Sequence, residues 1–118
     1  MTLDFAPGDD LVFQIESGFG LFRILAVGEK EHGTIWHLLA YEELFPDVET
    51  AEMALSGGIA LKGRATHFAV TNRGLEKTPA ARISNHPLTD GERAMLRLWT
   101  DENHQIFDRS VQSVLGLR

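Results

Sequence analysis

No cysteine occurs anywhere in the chain, which excludes disulfides, thiolate nucleophiles and cysteine-ligated zinc together. Also missing is any stretch near the roughly 20 apolar residues of a membrane span. The opening MTLDFAPGDD carries neither the basic nor the apolar region of a secretory signal. These absences lead to the expectation of a cytoplasmic protein without membrane contact. Low-complexity tracts and internal repeats are absent too, and 118 residues suffice for one core but not for two ordinary ones. One domain is expected over 1–118, with 1–71 rich in strands and 72–118 given to loop and helix.

Motifs of chemistry are equally scarce. The five histidines, His32, His37, His67, His86 and His104, include no pair at the i, i+2 or i, i+4 spacing that aims two imidazoles at one metal. None of the five serines stands in a Gly-x-Ser-x-Gly elbow. Gly18, Gly20 and Arg23 lack the third glycine and the following helix of a dinucleotide loop. No catalytic residue, metal ligand or cofactor is therefore assigned. His37, next to Trp36, and His67, next to Phe68, fall inside two candidate strands. If those strands pair, the rings can meet. They would then be either acid–base machinery, with a carboxylate such as Glu16 orienting one ring, or histidines hydrogen-bonded at the edge of a core.

Basic residues are rare in the first half. Residues 1–52 hold eleven acids against Arg23 and Lys30, a formal charge of −9, whereas 53–118 hold six acids against nine bases, a charge of +3. Such a field disfavours a phosphate backbone and attracts basic surfaces. The bases Lys62, Arg64, Arg73, Lys77 and Arg82 lack interleaved aromatics, so they read as balancing the acidic half and not as a nucleic-acid track.

What is present is strand and cap chemistry. Leu11, Phe13 and Ile15 alternate with Val12, Gln14 and Glu16 in the period of a half-buried strand. A turn at Ser17–Gly20 and the apolar run Leu21–Val27 complete a hairpin. Thr34–Tyr41 reads as a third strand covered on both faces, and Arg64–Thr71 as a fourth with Thr66, Phe68 and Val70 on one side. Between them a helix is predicted over Val48–Ser56, capped by Asp47 and stopped by Gly57-Gly58, with Val48, Ala51 and Leu55 inward and Glu49 and Glu52 outward. Residues 72–87 show no periodicity and read as a basic loop. Thr89-Asp90-Gly91-Glu92 fits a capping box opening a helix with an apolar stripe of Leu88, Met95, Leu98 and Trp99 and a wet face of Arg93, Arg97 and Asp101. A last helix is expected from Arg109 to Leu115, ended by Gly116, with Phe107, Val111, Val114 and Leu115 as its apolar contacts. The fold class is α+β: a strongly bent, antiparallel, barrel-like N-terminal sheet packed with a short middle helix and two C-terminal helices.

Pro7-Gly8-Asp9, the strand Leu11-Val12-Phe13, the Gly18-Phe19-Gly20 turn and the strand Ile24-Leu25-Ala26-Val27 give this opening a distinct cadence. It resembles the start of SH3-like or Tudor-like small barrels, as found in immunity protein family 26 of bacterial polymorphic toxin systems and in the RNA-polymerase-interacting domain of CarD-type transcription regulators. The resemblance spans about the first 40 residues and implies a barrel fold; Asp10, the acidic segment after Tyr41 and the C-terminal helices belong to neither pattern. No binding residue is carried over from either family.

The remaining candidate is YEELFPDVETAE, residues 41–52, with five carboxylates, two rings and no base. It reads either as an ordinary solvated helix start, with Asp47 as cap, Glu49 complementing the dipole and at least one of Tyr41 and Phe45 in the core, or as a surface for a basic protein partner, with Tyr41 and Phe45 as apolar anchors and Glu42, Glu43, Glu49 and Glu52, with Asp47, setting orientation and on-rate. In an immunity-type role such a face would cover the phosphate-holding site of a toxin. Two other classes compete: an adaptor for transcription or another assembly that adds a partner strand along Leu11–Glu16, and a small enzyme built on His37 and His67.

Overall fold

A computed structural model of the chain describes residues 3–31, 33–56, 65–99 and 105–117. The alternation read at Leu11, Phe13 and Ile15 is that of strand β1, Asp9–Ile15, whose apolar side chains are buried on one face while Val12 is buried on the other. A two-residue turn at Glu16-Ser17 returns the chain as β2, Gly18–Lys30, so the expected Ser17–Gly20 turn is shorter and Gly18 to Gly20 already pair with β1. Gly20 has a packing reason: a Cβ there would stand 2.4 Å from the ring of Phe13. Strand β3, Gly33–Phe45, extends four residues past the predicted end, so Glu42, Glu43 and Phe45 are strand residues.

Helix α1, Val48–Ser56, has the predicted bounds, and the Asp47 carboxylate accepts from the Thr50 N–H at 2.7 Å. The expected stop at Gly57-Gly58 and the start at Arg64 lie outside the described residues, where β4 is Ala65–Thr71. The segment read as a structureless basic loop is ordered. It forms α2, Asn72–Glu76, capped by the Thr71 hydroxyl, and β5, Ala80–Asn85, which pairs antiparallel with β1. Helix α3, Asp90–Leu98, carries the predicted capping box. It is followed by β6, Ile106–Phe107, and α4, Val111–Val114, which opens two residues later than predicted behind an N-cap at Ser110.

These elements are mixed α+β. Among the described residues the strands form one six-stranded sheet in the order β5-β1-β2-β3-β4-β6, antiparallel except for β4 with β6. Bulges between β2 and β3 bend the two longest strands. The sheet is nevertheless open, with β5 and β6 as its edges, so the expected barrel closure is not seen. The main core lies on the face covered by α2 and α4, where Phe13, Phe22, Ile24, Trp36, Leu38 and Val70 meet Leu75 and Val111. Val12, Leu21 and Ala51 form a smaller cluster under α1 on the other face. Among the described residues no helix is long and apolar enough to cross a membrane.

Candidate functional site

The acidic segment is set by one irregularity in the sheet. Gly20 pairs with Leu44 and Phe22 with Ala40, so three residues, Tyr41, Glu42 and Glu43, stand opposite Leu21 alone. That bulge sends the side chains of the segment to different faces. Tyr41 and Phe45 turn toward α1 and pack, half-buried, on the Val12, Leu21 and Ala51 cluster with Phe19, Val48 and Leu55. Neither ring stands out as the expected anchor; burying them completes the smaller core. Burial pushes the Tyr41 phenol above its ordinary pKa. The Glu92 and Asp10 carboxylates add to that shift and the Arg23 guanidinium works against it. Glu42 is exposed and reaches the opposite face, Glu43 is half-buried, and Glu49 and Glu52 are exposed on the outer side of α1. The exposed apolar side chains near these carboxylates are Leu44 at 45% and Met53 at 67%.

Beneath Tyr41 lies a buried charge cluster that the sequence reading did not contain. Arg23, 5% exposed, has all five guanidinium N–H donors engaged. Nη1 donates to Gly8 O at 2.8 Å and Asp10 Oδ1 at 3.0 Å, Nη2 to His86 O at 2.7 Å and Pro87 O at 2.9 Å, and Nε to Glu92 Oε2 at 3.0 Å. Glu92 accepts the Thr89 N–H with its other oxygen, so the capping-box carboxylate of α3 also binds the sheet. Asp10 Oδ2 takes the Ser84 hydroxyl and faces His86 Nδ1, both at 3.0 Å. Gly8 permits the approach: it has φ of 91°, and a Cβ would stand 2.4 Å from His86 O. Asp9 is buried beside the cluster. Burial acts to raise its pKa, but the Asn85 amide, the Ala6 N–H and the Arg82 guanidinium outweigh that and hold it below the usual carboxylate range. The cluster joins β1, β2, the β5–α3 connection and α3. The available signal was Asp9-Asp10 and Arg23 at strand positions otherwise filled by apolar residues.

The two strand histidines do meet. Pairing of β3 with β4 brings His37 Nδ1 to 3.2 Å from His67 Nε2, with ring centroids 5.4 Å apart. Trp99, placed by the sequence in the apolar stripe of a helix, instead caps the C-terminus of α3 and packs on both imidazoles at 4.9 and 4.7 Å. Leu98, assigned to the same stripe, is 78% exposed, because α3 turns Glu92 and not Leu98 toward the sheet. Glu16 does not serve the pair. It sits in the β1–β2 turn next to Gly18, and Gly18 lies eight positions along β2 from Ala26, the partner of His37. That is about 25 Å of strand. Among the described residues no three His, Asp or Glu side chains converge on a common ion site.

Two further surface features lie apart from these clusters. On the α4 face a cavity of about 410 Å³ lies over Phe68, Phe107, Val114 and Leu117, with exposed Glu42 and Thr66 at its rim. At the far edge, β5 pairs with β1 on one side and ends the sheet on the other, beside a groove of about 350 Å³ that includes Val12, Phe19, Val48 and Ala81. This corrects the edge expected along Leu11–Glu16. The unrecognised strand β5 covers β1, and the edge moves to residues 80–85.

Compared with protein-family models, with curated proteins and with solved structures, the chain has no match in any of the three.

Proposed function

We propose that the chain is a non-catalytic protein-binding domain working in the cytoplasm, built on a bent sheet of the SH3-like kind, whose acidic segment engages a basic protein. An immunity-type inhibitor that covers a toxin's phosphate-holding site is the form of this reading that the barrel resemblance suggests. The observation that carries it is the exposure of Glu42 on one face and of Glu49 and Glu52 on the outer side of α1, with Leu44 and Met53 exposed along the same stretch of chain and a formal charge of −9 over residues 1–52. Carboxylates around exposed apolar side chains speed encounter with a basic surface and hold it in register. The test is affinity capture from the source cells with the wild type and the E42K/E49K/E52K variant in parallel. Proteins held by the wild type and reduced at least about tenfold on the variant should be basic. Equal capture of the same proteins by both forms would refute the reading.

A second reading, an adaptor for transcription or another assembly that accepts a partner strand, rests on β5. The Gln14 N–H donates to Pro79 O at 3.0 Å, so by the alternation of the ladder the Ala80 N–H points away from β1. Ala80→Pro removes that donor while sparing the β1 pairing. Loss of a salt-insensitive partner in this variant would favour the adaptor.

A further inference from the structure

We infer that β5 is a self-association edge, along which two copies of the chain pair antiparallel about a two-fold axis at Ala81. The acidic segment plays no part in this contact, and the edge used by the second reading receives a different occupant. Ala80 lies opposite Phe13 and Ala81 opposite Val12, and the register stays regular as far as Arg82 opposite Leu11. Since the Gln14 N–H donates to Pro79 O, the alternation of the ladder turns the main-chain N–H and C=O of Ala80 and of Arg82 away from β1. Among the described residues no strand lies beyond β5, and no main-chain hydrogen bond outside the ladder reaches these four groups. Pro79 removes no outward donor, because its carbonyl and its missing N–H belong to the side that faces β1.

An open ladder edge calls for an extended partner, and the placement of these groups makes this edge complementary to itself. Two outward residues flank a single inward one. An antiparallel copy therefore sets Ala80 against Arg82 of the second copy and Arg82 against Ala80 of the second copy, and every outward donor and acceptor of the pair is used. The side chains suit the axis as well. Ala81, exposed, meets its own copy in the non-hydrogen-bonded position, where strands approach closest and a methyl group fits. Arg82 faces an alanine and not a second arginine, and Asp9 already meets its charge at 3.2 Å. On the α1 face Ala81 shares with Val12, Phe19 and Val48 a groove of about 350 Å³ whose lining, among the described residues, is uncharged. The two-fold axis brings the two grooves side by side. A contact with an unrelated chain has no need of this symmetry, whereas an isologous contact requires it. Opposing the pairing is the net charge of −6 on each copy. Salt screens that repulsion, so self-association tightens with salt, the reverse of binding to a basic partner. An edge of six residues buries little surface, which places the dimer among weak, concentration-dependent complexes.

The test is sedimentation equilibrium of the purified full chain. The average mass should rise from that of a monomer toward that of a dimer between about 10 µM and about 1 mM. The rise should begin at a lower concentration in about 500 mM salt than in about 50 mM. Ala81→Lys and Ala81→Glu each set like charges across the axis while leaving the β1 ladder intact, and each should weaken association at least about threefold. Mixed in equal amounts, the two variants should recover the dimer, because opposite charges then face each other. Mixing would not restore variants that had merely failed to fold. A wild type that stays monomeric up to about 1 mM, association that weakens with salt, a dimer that either variant leaves intact, or a mixture that does not recover would overturn the inference. A chain that is monomeric throughout and still loses a foreign partner in Ala80→Pro would return the edge to the adaptor, so the two readings fail separately.

Discussion

Arg23 ties β1, β2, the β5–α3 connection and α3 together. Five donors and two buried carboxylates close on one another, and removing the cation leaves Asp10 and Glu92 facing each other's charge in a dry site. Arg23→Met should therefore cost about 3–5 kcal/mol, read as a lowered urea midpoint with an unchanged slope. A loss under about 1 kcal/mol would mean that water reaches the cluster. Tyr41 gives a spectroscopic check on the same region, since it is the one tyrosine of the chain. Its raised pKa means that burial and the neighbouring carboxylates favour the neutral phenol in the fold. That contribution is complete below the unfolded pKa and is lost as pH rises through the folded value. Absorbance at the phenolate band should titrate with a midpoint above the usual value of about 10; a midpoint at that value would place the ring in solvent. Little of this was legible beforehand. Asp10 and Arg23 showed only as charges in a strand, because a buried network joins positions far apart in sequence, and pattern rules see neighbours.

At the scale of elements, local signals did well and long-range ones did not. Asp47 as a cap, the bounds of α1 and the capping box of α3 follow from side chains within four residues of the backbone groups they satisfy. Thr89→Ala should cost about 1 kcal/mol in chemical denaturation, with a further consequence peculiar to this chain. Because Glu92 serves both the cap and Arg23, Glu92→Ala should cost more than Thr89→Ala, and equal losses would show that the Arg23–Glu92 contact adds no stability. By contrast β5 and β6 were invisible. The sequence of β5, Ala80 to Asn85, has two alanines, an arginine, Ile83 and two polar residues with no period of two; only Ala80 and Ile83 pack, partly buried, on the core clusters, and its strand character comes mainly from the ladder it makes with β1. Missing it put the sheet edge on the wrong strand. The bulge at Tyr41–Glu43 was likewise beyond reach, and it is what separates the rings from the carboxylates they adjoin in sequence.

Over the whole molecule, the division of charge becomes a division of roles. Some acidity of the first half is internal: Asp9 and Asp10 are buried in bonds to Arg82, Asn85, Ser84 and Arg23, and Asp47 caps α1. What faces outward is Glu42 by the cavity and Glu49 and Glu52 on α1, with Leu44 and Met53 near them. The fold class was thus readable from hydrophobic period and caps. The candidate site was readable only as a segment, because which of its residues face water is decided by a register slip against β2. The account stands on outward carboxylates that recognise a basic partner. Its most direct test is the affinity for the captured partner at a series of salt concentrations, measured for the wild type and for E42K/E49K/E52K. The account predicts an affinity that falls steeply with salt for the wild type, and for the variant a weaker affinity with a nearly flat salt dependence. Matching affinities and slopes for the two proteins would contradict it.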